Sequence, residues 1–120
     1  MTSTGSIKAV ISADAALTPG EDRTLRFTVE DEAGVAISSF AGWTFGWYLL
    51  PRQDTPRTHA DVLLTKTSGS GITSSVPNVD VALDPADTLL YKAGTRFYEL
   101  WRTDTGNVVR LAYGPIVFID

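Results

Sequence analysis

The cleanest pattern in the chain runs over residues 23–30, where Leu25, Phe27 and Val29 alternate with Arg26, Thr28 and Glu30. A period of two puts the first set on one face of a strand and the second on the other, so a half-buried strand is predicted here. Residues 43–50 behave differently: Trp43, Phe45, Trp47 and Leu49 share one parity, while Tyr48 and Leu50 make the other parity bulky too. Residues 95–103 repeat this, with Phe97 and Trp101 on one face and Tyr98 and Leu100 on the other. A strand that is apolar on both faces is covered on both faces.

Further β-rich runs occupy residues 6–11, 35–38, 60–66, 72–75, 79–83, 107–113 and 116–119. Between them lie turn formers: residues 31–34 with Gly34, 67–71 with two glycines, and 104–106 with Gly106. Residues 13–20 and 52–59 have loop composition, and Pro51 ends the strand before the second loop because it cannot donate to a ladder. One helical turn is predicted at Asp84, with Asp84 as N-cap, Pro85 at the first helical position and Asp87 in the first turn. Ala93 and Gly94 stop it after about Tyr91. Turn signals recurring roughly every 8–15 residues read as a sandwich or barrel. The expected fold is all-β: an antiparallel β-sandwich of seven to eight strands with one short helical turn. Leu25, Phe27, Val29, Trp43, Phe45, Tyr98, Leu100 and Leu111 are expected in its core.

The 120 residues fit one domain, residues 1–120, and their 43% hydrophobic and 20% charged content is ordinary for a globular protein. Residues 1–5 are small and polar and are expected to form a flexible arm that only a neighbouring subunit orders. The net charge is −4 and the ten Lys and Arg residues are scattered, so no basic track for nucleic acid is present. There is no cysteine, which excludes disulfides and thiolate metal sites. No signal-peptide pattern opens the chain, and the longest near-apolar stretch, residues 43–51, is too short to span a bilayer.

Candidate chemistry is sparse. His59, the only histidine, sits in a loop with no paired ligand or nucleophile elbow nearby, and reads as an exposed loop residue. Asp80, Asp84 and Asp87 match no calcium-loop spacing, and capping accounts for two of them. Residues 68–71 lack the Gly-Lys-Ser/Thr ending of a phosphate loop. No catalytic, cofactor-binding or metal-binding residue is assigned, no cofactor is expected, and the chain is expected not to be an enzyme.

The order of the segments 22–34, 40–45, 69–73, 81–88, 93–104 and 111–117 resembles a small Ig-like β-sandwich of phage and prophage virion proteins. The N-terminal domain of upper baseplate proteins is a known relative of that type. The likeness spans about residues 16–118, with Arg96 standing where the family usually has an aromatic. Upper baseplate proteins continue into a fibre-forming region, whereas this chain ends at Asp120, which points to a stand-alone subunit. The resemblance implies a non-enzymatic virion structural subunit: a capsid decoration, neck or tail accessory protein. Its partners would be other virion subunits and copies of itself, with neither nucleic acid nor membrane involved. It would be made in the host cytoplasm and located in the virion.

Since interface cores enrich aromatics, Phe97, Glu99, Trp101 and Arg102 are the expected interface, with Glu99 and Arg102 at its polar rim. The competing expectation for this face is that residues 52–59 fold over it. The competing function is a carbohydrate- or surface-binding module, in which Trp and Tyr would stack on sugar rings beside polar groups.

Overall fold

The structure is a computed structural model that describes residues 8–11 and 16–119. The expected arm at residues 1–5 lies outside the described residues. The chain is nearly all-β. Among the described residues nine strands follow in order: β1 (Lys8–Ile11), β2 (Ala16–Leu17), β3 (Arg23–Glu30), β4 (Phe45–Leu50), β5 (Leu64–Ser68), β6 (Gly71–Ser75), β7 (Asn78–Leu83), β8 (Gly94–Arg102) and β9 (Val109–Phe118). One short helix, α1 (Pro85–Thr88), joins β7 to β8.

The strands form a single curled sheet in the order β1-β3-β7-β6-β5-β4-β8-β9-β2. The seven to eight antiparallel strands of the expectation are therefore corrected to nine strands in a mixed sheet. Most pairs are antiparallel, but β2 runs parallel to β9 and β5 parallel to β6, each over two residues. Two paired residues are too few to leave a period in the sequence, and Ala16–Leu17 fell within a segment of loop composition. The run at 35–38 forms only an isolated bridge, Glu30 to Ala36, and the runs at 107–113 and 116–119 merge into β9.

The β5–β6 link divides the sheet into two halves whose inward faces meet. Phe27 of β3 lies 5.6 Å, centroid to centroid, from Tyr98 of β8, which stacks on Trp47 of β4 at 6.4 Å. Leu25, Phe27, Val29, Phe45, Tyr98, Leu100 and Leu111 are all buried in this core. Trp43 is not: it packs at the edge beside Phe40 and Phe45, and Trp47 supplies the fully buried indole instead. Trp47 Nε1 is buried with no hydrogen-bond partner among the described residues.

The burial of β3 follows its sequence alternation, whereas β4 is buried at all six positions. Gly46 makes the double coverage of β4 possible, since a Cβ there would collide with the Tyr48 hydroxyl, whose ring leans back across it. Gly71 serves a similar need at the sheet's waist. Its φ is +98°, and a Cβ would strike the Lys66 side chain on its way to Asp87, 2.8 Å from Lys66 Nζ. At α1 the Asp87 carboxylate also accepts the Asp84 N–H at 2.7 Å, closing the helix start.

Candidate functional site: the outward face of β4, β8 and β9

The outward face is set by register. Leu50 pairs with Phe97, Tyr48 with Glu99 and Gly46 with Trp101, while Phe97 faces Pro115 and Glu99 faces Tyr113. Between Leu100 and Trp101 the β8–β9 register shifts by one residue. Leu111 is the extra residue in β9, so Leu111 and Ala112 are both buried and Arg110 comes to lie opposite Trp101.

That shift completes a chain of cations and aromatics across three strands. The Arg57 guanidinium lies 4.4 Å from the centre of the Trp101 ring and 5.6 Å from that of Tyr48. Trp101 Nε1 donates to Glu99 Oε1 at 2.9 Å, and Arg110 donates to Glu99 Oε2 at 3.1 Å. Arg110 in turn stacks over Tyr113 at 3.9 Å. Glu99 is only 8% exposed, so its charge is tolerable because both carboxylate oxygens are partnered. Each link holds the next in place, and Tyr113, the last, is open to solvent.

Of the four expected interface residues, the sheet brings Phe97, Glu99 and Trp101 together on this face and separates Arg102 from them. Arg102 shares the face of its partner Phe45, where it stacks on Trp43 at 3.9 Å and grips Asp104 through two hydrogen bonds of 2.8 and 3.0 Å. The strand parity of residue 102 is that of Tyr98 and Leu100, which is why it turns inward. Trp101 is half-buried beneath Arg57, so the loop at 52–59 does fold over part of this face, and Thr55 in that loop is itself buried. Glu99 is a floor residue rather than a rim residue. Arg57 and Tyr113 were missed as site residues, since the loop fold-over arises from long-range packing and leaves no local sequence signal; the one-residue slip is what decides that Arg110 joins them.

No protein-family model matches this chain, and no curated protein does. Its functional reading therefore rests on geometry.

Two features of the face remain open. One is a groove of about 310 Å³ bordered by Leu50, Gln53, Phe97, Glu99, Arg110 and Tyr113. The other is an apolar stripe along β9. Tyr113, Pro115, Val117 and Ile119 alternate outward, with Tyr113, Val117 and Ile119 exposed by 58%, 38% and 47%. Beyond β8, β9 is paired only at Val117 and Phe118 among the described residues.

The other candidate residues are engaged structurally. His59 is exposed in its loop, where Nδ1 accepts the Asp61 N–H at 3.0 Å. Asp80 binds Arg26 through both oxygens, at 2.8 and 2.9 Å, while Asp87 serves α1 and Lys66. Arg96 lies over the rings of Tyr91 and Phe118, at 5.3 and 5.2 Å. No helix of the described residues is long and apolar enough to cross a membrane.

Proposed function

We propose that this chain is a non-enzymatic structural subunit of a bacteriophage virion, a capsid decoration, neck or tail accessory protein, and that it is built as an Ig-like β-sandwich. The strand pairings support the sandwich. Each half of the curled sheet carries its own consecutive pairings, and the start of the chain is shared between them, with β1 on β3 and β2 on β9. Among the described residues only the two-residue β5–β6 pairing joins the halves.

The observation that carries an assembly role is the stripe of Tyr113, Pro115, Val117 and Ile119. A strand apolar on both faces belongs between two layers, and β9 has only one. Covering what remains exposed of these side chains would contribute roughly 1 kcal/mol each, which favours docking against a second surface. Pro115 offers no N–H and blunts the strand edge, so the face rather than the edge is the docking element. The proposed interface thus lies on the strand next to the expected Phe97, Glu99, Trp101 and Arg102, with Phe97 and Tyr113 at its border.

The test is incorporation. Particles produced with a tagged copy of the chain should carry it in fixed stoichiometry. The double variant Tyr113→Ser, Val117→Ser should keep its melting temperature and be missing from the particles. A chain absent from purified particles, or a double variant that incorporates normally, would overturn the proposal.

A further inference from the structure

We propose that the groove between Gln53 and Tyr113 binds a neutral saccharide. This goes beyond the assembly role and concerns the free subunit, whose Tyr113 ring is exposed and whose groove needs no other chain to complete it.

The ligand class follows from the charges at the groove. Glu99 and Arg110 are 3.1 Å apart, so an ionic ligand of either sign that reached one would meet the like charge of the other. A ligand with neighbouring hydroxyls meets no such conflict. One hydroxyl donates to the carboxylate and the next accepts from the guanidinium, whose remaining N–H groups are not taken up by Glu99. Gln53, exposed in the loop, adds an amide with both a donor and an acceptor.

The walls fit the apolar part of such a ligand. Arg110 occupies one flank of the Tyr113 ring at 3.9 Å, while the ring's 58% exposure leaves area for the C–H face of a sugar. Phe97, half-buried, closes the groove on the β8 side with Leu50. The polar groups are also fixed in advance. Trp101 holds Glu99, Arg57 holds Trp101, and Tyr113 holds Arg110, so binding has few side chains left to order. A volume of about 310 Å³ is at the small end of ligand sites, suited to one or two sugar rings.

The test is a titration of the isolated ¹⁵N-labelled chain followed by NMR. The Trp101 indole N–H, bonded to Glu99, is the reporter at the groove floor. Maltotriose or triacetylchitotriose should move that signal and the amides of Phe97, Glu99 and Tyr113, with dissociation constants of about 1 mM. Sialyllactose and a lysine-rich peptide should leave them unmoved. Tyr113→Ala should abolish the shifts with the rest of the spectrum intact, and Gln53→Ala, a change in an exposed loop residue, should weaken binding about tenfold. No response to either neutral probe, equal or stronger response to a charged one, or shifts that survive both variants would each overturn the proposal. Particle incorporation does not enter this measurement, so its failure and that of the assembly role are separable.

Discussion

On the outward side of β3 and β7, Arg26 binds Asp80 across the strands and Thr28 binds Asn78 at 3.0 Å, with solvent beyond. The matching positions on the outward side of β4 and β8 carry Tyr48, Leu50, Phe97 and Trp101. Both sides belong to one sheet and back onto one core, yet only the first is finished by polar side chains. The second is finished in part by the chain's own loop, through Arg57 and Thr55, and is left bare along β9. Where a sheet face is neither polar nor fully covered by its own chain, what remains open marks where function is to be sought.

The largest expected effect lies beneath both faces. Phe27 is fully buried and touches Tyr98 of the other half, so Phe27→Ala should cost about 3–5 kcal/mol in chemical denaturation. A loss below about 1 kcal/mol would mean that the two halves do not share this core.

Trp101→Ser comes next and probes how the second face is covered. The ring is half-buried under Arg57 and its indole holds Glu99 in place, so the isolated chain should lose roughly 1–3 kcal/mol and melt earlier. A melting temperature that barely moves, together with lost incorporation into particles, would return Trp101 to the intersubunit interface that its sequence position first indicated. Arg57→Ala should reproduce part of the loss, because it removes the cover and leaves the ring.

The contrast between the faces also explains how far the sequence could be read. On β3 one face meets water, so composition records burial directly and Leu25, Phe27 and Val29 fell where expected. On β4 and β8 the double apolar pattern correctly announced cover on both sides but carried no information about what supplies it. That cover comes from Arg57 in a polar loop, and no local period points to it. The slip at Leu111 is of the same kind: it decides that Arg110 rather than Val109 meets Trp101, and it is set by packing across the sheet. Arg102, by contrast, is legible by parity, since it shares the inward face of Tyr98 and Leu100 despite its charge. Trp43 shares a parity with buried residues but lies just before β4 begins and packs only partly buried against the core.

A smaller effect separates the two halves by pH. Asp104, at the β8–β9 turn, accepts two hydrogen bonds from Arg102 and one each from the Thr44 N–H and Asn107. The Arg102 bonds, more than the others, hold its carboxyl down at about 2, below the ordinary 3.8. A lowered folded value means stability that is present above the unfolded value and lost as pH falls through the folded one. The contribution should therefore be complete above about pH 4 and disappear towards pH 2. Because the group lies at the solvent-facing rim, about 1 kcal/mol is expected after screening. Asp104→Asn should lower stability at neutral pH and flatten this acid limb; an unchanged limb would show that the Arg102 bonds do not persist in solution.

The smallest effect is expected on the polar face. Arg26 and Asp80 make a two-point ion pair, and Asp80 raises the Arg26 pKa, chiefly through their hydrogen bond. Arg26 is nonetheless exposed, and an exposed pair gives up in side-chain ordering and salt screening most of what it gains in attraction. Arg26→Ala should leave the melting temperature within experimental error, at low and at high salt alike. The same substitution also removes cover from Asp80, so a double-mutant cycle with Asp80→Ala is the cleaner measure, and its coupling should be indistinguishable from zero. A clear coupling that fades with added salt would mean that the β3–β7 face is tied together electrostatically. The distinction between a face finished by simple solvation and one finished by specific contacts would then fail on the side where it looks safest.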